Sequence, residues 1–308
     1  MKGVPAMTLA SERIDRLSHE PLRNIAAPEG LFRGVGESYR DLWHRRDLLL
    51  LLVRREIRAK YKDSVLGLLW SLARPLVQLL IYYLVIGQFL GAARSITNFA
   101  IFVFSGLTIW TLFNEIVAGG TSSIISNSGL IKKIKLPREV FPLASTGSAL
   151  FNCGIQFIIL VIAVPLTSGF PPDADWINLP LALLIVTVWG TALALLLSAS
   201  NVFLRDIQYL VEVVLMIGFW ASPIVYSWDM VQQRVGATTQ EIFLANPITV
   251  AVLGMQSVFW NPGPDFTGVT FPVNLTLRMV IALGIGFIAL FFAQRAFSRM
   301  QRNFAQEM

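Results

Sequence analysis

The stretch NSGLIKKIKLPREVFPLAS, residues 127–145, decides how the rest of the chain is read. It crowds Lys132, Lys133, Lys135 and Arg138 together, with Pro137 inside the run. Between Arg94 and Lys132 the only charge is Glu115, and between Glu139 and Asp173 there is none. A basic loop joining two almost uncharged apolar segments is what a chain shows where two membrane spans meet on the cytosolic side.

Composition agrees. Of 308 residues, 55% are hydrophobic and 14% charged, with a mean hydropathy of +0.62. Soluble domains are about a quarter charged, so apolar surface here is meant to face lipid. The net charge of +6 is gathered at the ends of apolar segments, which suits an anionic membrane surface and not nucleic acid. Cys153 is the single cysteine, so no intrachain disulfide forms. Residues 1–38 are polar, lack a signal-peptide core and read as a cytosolic extension.

A hydrocarbon core about 30 Å thick needs roughly 20 apolar residues per helix. Six segments qualify, at about 68–90, 99–119, 140–167, 177–200, 208–227 and 274–294. With the N-terminus inside, 22 Lys and Arg fall on the cytosolic side and 3 outside, namely Arg94, Arg234 and Arg278. Both termini are then cytosolic. The run IFLANPITVAVLGMQSVFW (242–260) is broken by Asn246-Pro247, and counting it as a span would place Arg295, Arg299 and Arg302 outside. It reads as short helices that dip in from the outer face or lie upon it.

Before the first span, YRDLWHRRDLLLLLVRREIRAKYKDS (39–64) repeats Leu42, Leu49, Val53, Ile57 and Tyr61 at helical spacing beside a basic stripe. This is the pattern of an interfacial helix with its apolar face in lipid. The expected fold is therefore an all-α integral membrane protein. An N-terminal amphipathic helix at 39–64 precedes a six-span domain at 65–300, which carries short re-entrant or surface helices between spans five and six. A cytosolic tail follows at 301–308.

Enzyme chemistry finds little support. His19 and His44 are the only histidines, and no Cys/His set has metal-ligand spacing. Asp173 and Asp175 form a D-x-D in PPDADW, a loop the orientation puts outside, away from nucleotide sugars. No lysine follows a glycine, so no phosphate-cradling G-x-x-x-x-G-K-[ST] loop exists and ATP must be hydrolysed by another subunit. An ion pathway would need ionisable groups deep in the bilayer. Glu115 and Glu212 are the carboxylate candidates, whereas Arg74 and Arg278 lie near span ends and can snorkel.

Several stretches resemble the permeases of ABC-2 type polysaccharide exporters, the Wzm-like family of O-antigen and teichoic acid export. They are REIRAKYKDSVLGLLWSLARPL (55–76), NSGLIKKIKLPREVFPLA (127–144), LRDIQYLVEVVLMIGFWASPIVYS (204–227) and Asn246-Pro247. The likeness spans about 40–300 and, more narrowly, is to actinobacterial members that export lipid-linked galactan for the cell wall. It implies a transport subunit in the cytoplasmic membrane with no cofactor of its own. A homodimer of permeases would bind two cytosolic ATPase subunits holding Mg-ATP, and the cargo would be a polyprenyl-pyrophosphate-linked glycan. The loop would couple to the ATPase through Leu130, Ile131, Ile134, Lys132, Lys133 and Lys135, with Pro137 and Arg138 closing it. The interfacial helix would be a gate whose Arg54, Arg55, Arg58 and Lys62 meet lipid or carrier phosphates.

A sugar chain crossing the membrane is served by aromatic faces. Candidates are Tyr82, Tyr83, Phe89, Phe104, Trp110 and Phe113 on the first two spans and Trp220 on the fifth, though mid-span rings also serve as packing. Trp70, Trp176 and Trp228 fit an interfacial belt. Two other functions share parts of this pattern: an ABC-2 drug or lipid exporter, and a membrane-embedded sugar-processing enzyme.

Overall fold

The computed structural model describes residues 46–61, 69–133, 136–167, 169–172, 174–263 and 271–304. Every regular element among them is helical. Helix α1 (Arg46–Tyr61) precedes α2 (Leu69–Tyr82), which continues into a π-helical stretch (Tyr83–Phe89). A short α3 (Ala92–Ser95) leads to α4 (Phe99–Ser126), then α5 (Ser128–Lys133) and α6 (Val140–Thr167). After α7 (Asn178–Phe203) and α8 (Ile207–Trp220) come α9 (Trp228–Arg234), α10 (Ala237–Leu244) and α11 (Pro247–Phe259). The last helix, α12 (Leu275–Met300), tightens into a 3₁₀ turn (Gln301–Asn303).

Four helices, α4, α6, α7 and α12, are long and apolar enough to cross a membrane, and the bent α10–α11 pair makes five if counted as one span. The first and fifth expected segments appear as shorter apolar helices, Ala73–Phe89 and Ile207–Trp220. Helix α8 has 14 residues, or about 21 Å at 1.5 Å per residue, less than the hydrocarbon thickness. It stops at Trp220 because Pro223 cannot continue a helix. The rest of 208–227 is irregular, and Ser222, Pro223, Ile224 and Val225 are buried in protein. Non-helical backbone at membrane depth persists only under such cover.

Helix α4 is the centre of the bundle, packed against α6, α7 and α11, with most of its residues buried. Small residues allow the approach: a Cβ on Gly120 would lie 2.3 Å from Ala194 Cβ of α7. Helices α10 and α11 meet at 86° around Ala245-Asn246, and α11 is buried along nearly its whole length. Asn246 caps it by accepting from Ile248 N at 3.0 Å, with Pro247 in the first turn. The 242–260 run is thus a pair of helices bent at Asn246-Pro247, as the break in the sequence led one to expect. At its far end Trp260 Nε1 donates to Thr97 O and Asn98 Nδ2 to Asn261 O at 2.8 Å.

Candidate functional site

The end of the bundle carrying the 127–139 loop gathers the features singled out in the sequence. Helix α1 lies along the first turns of α6. A Cβ on Gly147 would be 2.6 Å from Val53 Cγ2, so glycine is what lets the two backbones close. Leu52 is buried, and Leu48, Leu49 and Val53 pack with it against Val140, Phe141 and Ala144. Leu49 and Val53, two residues of the stripe expected to face lipid, therefore face protein, while Leu50 and Leu51 point outward, 54% and 61% exposed. A periodic apolar face is satisfied equally by lipid or by a neighbouring helix, and here the glycine of α6 offers the better fit.

Three polar links fasten α1. Arg55 donates to Asn127 Oδ1, at the junction between α4 and α5. Glu56 is hydrogen-bonded with Ser145. Burial pushes its carboxyl above the ordinary range, against the lowering effects of the Ser145 bond and the Arg55 charge. Lys60 Nζ reaches Glu115 of α4 at 3.2 Å, and the same carboxylate accepts from Asn152 Nδ2 of α6 at 2.5 Å. Glu115, singled out as an intramembrane carboxylate, is thus the meeting point of three helices. Lys60 and Asn152 were missed by the sequence reading, since nothing in their spacing ties residues 55 and 37 positions from Glu115 to it.

In the loop, Leu130 and Ile131 are half-buried against the cluster shared by α1 and α6, and Ile131 also borders a second cluster that includes Phe297 and Phe304. These two apolar side chains, expected to meet a partner, are held by their own chain. Lys132 and Lys133 are exposed on the outward side. Ile134, Lys135 and Lys62 lie outside the described residues. Pro137 is half-buried, and Arg138 donates to the Gln301 carbonyl and stands 5.3 Å over the Phe304 ring. Burial lowers the Arg138 pKa from its ordinary value. Arg54 and Arg58 are exposed on the free face of α1.

The candidate aromatics divide. Phe104, Trp110 and Phe113 are buried in the chain's own core. Phe219, which the sequence reading passed over, is the hub: Tyr82 stacks on it at 5.6 Å, while Trp110 and Trp220 meet it edge-on at 5.8 and 5.3 Å. Tyr83, Phe89 and Trp220 are exposed on the single chain, Phe89 most of all at 83%. Trp110 and Phe113 also border an almost wholly apolar cavity of about 360 Å³ beneath Asn246-Pro247. Of the belt residues, Trp176 is exposed whereas Trp228 is buried beside Phe243, a correction to its expected interfacial place. Trp70's side chain lies outside what the structure describes.

At the opposite end Arg278 does not snorkel alone: it grips Glu241 of α10 with two bonds of 2.7 and 2.9 Å. The Thr276 hydroxyl lies 2.9 Å from both the Asp175 carboxylate and the Asn178 carbonyl, which ties Asp175 to the start of α12. Asp173 lies outside the described residues.

A helical bundle with several candidate spans, a docked amphipathic helix and a basic inter-helix loop is the architecture of a multi-pass membrane protein. The sequence comparisons specify which kind. The family model for ABC-2 type transporters matches residues 47–260, and the chain belongs to that family. It is 31% identical over 223 residues to the O-antigen export system permease protein RfbA of Myxococcus xanthus, covering 72% of this chain and 84% of that one. An RfbA of Klebsiella pneumoniae is 29% identical over 224 residues, covering 72% and 83%. The polysialic acid transport protein KpsM of Escherichia coli is 23% identical over 240 residues, covering 76% and 89%. ABC-2 permeases work with ATPase subunits, and the chain is such a permease and not an enzyme.

Proposed function

We propose that this permease exports a polyprenyl-pyrophosphate-linked polysaccharide of the O-antigen, teichoic acid or galactan type across the cytoplasmic membrane. It works as a homodimer with two ATPase subunits that bind Mg-ATP, and both termini face the cytosol. The observation that carries this reading is the continuity of α1, Asn127 and α5. One end of the bundle holds a helix with exposed Arg54 and Arg58 tied directly to the loop that carries exposed Lys132 and Lys133. Guanidinium groups suit a diphosphate, and a loop tied to the helix that bears them can move it when the ATPase moves. The likeness to O-antigen and polysialic acid permeases supports a polymer cargo over a drug.

On this reading Lys132 and Lys133 offer charge to an acidic groove of the ATPase. The exposed aromatics Tyr83, Phe89 and Trp220 give sugar rings flat, weakly binding surfaces once a second copy closes the path. Depleting the permease should make the lipid-linked glycan accumulate on the cytosolic leaflet, and normal glycan transfer after depletion would refute the assignment. In a Cys153→Ala background, a cysteine replacing Lys133 should label from the cytosol and one replacing Ala174 from outside. The reverse pattern would invert the orientation. Lys132→Glu with Lys133→Glu should weaken co-purification of the ATPase while the permease stays in the membrane.

A further inference from the structure

Phe304 has none of its surface exposed, although it follows the last long helix. The 3₁₀ turn after Met300 returns it onto Phe297, ring centroids 6.0 Å apart and nearly perpendicular, and against Phe203 at 5.8 Å. Ile124 of α4 and Leu195, Ala199 and Val202 of α7 complete this cluster, and Ile131 of the loop borders it. A helix end leaves carbonyls without partners. Gln301 O accepts there both from Phe304 N, which closes the 3₁₀ turn, and from Arg138, whose guanidinium also covers the Phe304 ring. The next residue, Glu139, is buried at 4% exposure and accepts from Ser298 Oγ at 3.3 Å. Both halves of the 127–139 loop therefore rest on the end of α12: Ile131 by packing, Arg138 and Glu139 by polar bonds. On the other side Leu130 and Ile131 pack against the cluster that Leu52 of α1 forms with Val140, Phe141 and Ala144 of α6.

A connection between two spans is already positioned by the spans. The additional grip at residues 138–139 suits a loop that has to bear force. We propose that the turn 301–304, seated through Phe304 and Arg138, is a brace that holds the 127–139 loop rigid against its ATPase; this rests on that loop being the ATPase contact. With the brace in place, a push on α5 is passed to α1 through Ile131 and Asn127. Without it, the loop yields and the push is lost. Phe304 and Arg138 are positioning residues, since Phe304 is fully buried and Arg138 is turned onto its ring and onto Gln301 O.

The test uses the full permease with its ATPase in nanodiscs. Phe304→Ala and Arg138→Gln should each speed backbone amide exchange at 128–133 by about tenfold, with α7 amides unchanged. The permease-dependent stimulation of ATPase activity should fall by a similar factor while the ATPase still co-purifies. Phe304→Tyr and Arg138→Lys, which keep the ring and the cation, should restore both readouts. Arg138→Gln removes no core volume, so it remains informative if Phe304→Ala fails to fold. Unchanged exchange at 128–133 in both disruptive variants overturns the brace. Faster exchange with undiminished ATPase stimulation overturns instead the reading of the loop as the ATPase contact.

Discussion

Replacing Gly147 by alanine should pry α1 from α6. The new Cβ would stand 2.6 Å from Val53 Cγ2 and 3.3 Å from Cγ1, against an ordinary contact of 3.4–4 Å. One of the two helices must retreat by roughly 1 Å to restore a normal carbon–carbon separation. Val53 is β-branched and stiff, so rotation offers little relief. Overpacking of this kind costs about 1–3 kcal/mol. Alanine also favours the helical state of α6 by up to about 1 kcal/mol over glycine. The global melting temperature is therefore a poor reporter, and the loss should be local. Amide exchange of residues 50–60 in the purified complex should rise about tenfold for each 1.4 kcal/mol of lost docking. Val53→Ala removes the clashing methyls at a cost of about 1 kcal/mol by itself. Combined with Gly147→Ala it should recover docking, so the double variant is less perturbed than the sum of the singles. Unchanged exchange in Gly147→Ala, or no recovery in the double variant, would refute the claim that close helix contact seats α1.

The Glu115 junction makes a comparative prediction. Asn152→Leu removes a buried partner, 1% exposed, and should cost about 1–3 kcal/mol in detergent unfolding. Lys60→Met removes a side chain that is 44% exposed and should cost at most about 1 kcal/mol. Equal losses would contradict the burial difference. Glu56 provides a pH prediction. Its folded pKa is raised, chiefly by burial, so the folded state holds the proton more tightly than the unfolded one. Its contribution to α1 docking is full below the ordinary carboxylate range and is lost as pH rises through the raised value. Glu56→Gln should make the protection of α1 amides, taken relative to the intrinsic base-catalysed rate, independent of pH across that window; a persisting dependence would assign it to another group.

The six apolar segments were legible because lipid leaves a spanning helix no freedom: about twenty apolar residues are needed, and polar backbone must be paired. The end of α8 was less so. Apolar composition runs on from 208 to 227, but Pro223 and the buried turn at 222–225 stop the helix at Trp220. The Asn246-Pro247 break was legible for a local reason, since the pair both caps and starts a helix. Trp228 was misplaced because an aromatic near a span end looks the same whether it meets headgroups or packs beside Phe243.

By itself, the sequence determined which segments are apolar enough to seek a bilayer, that the stretch 127–145 carries concentrated charge, and that the chain holds no phosphate-cradling loop. These follow from solvent preference and local spacing, which one dimension records. The tertiary structure alone decided that Leu49, Leu52 and Val53 of α1 face α6, that Glu115 is shared by Lys60 and Asn152, and that Phe304 closes under Arg138. In a chain this apolar, lipid and protein satisfy a hydrophobic face about equally. Which one a given side chain meets is settled by shape, at positions such as Gly147 and Gly120 where a missing methyl lets two helices touch.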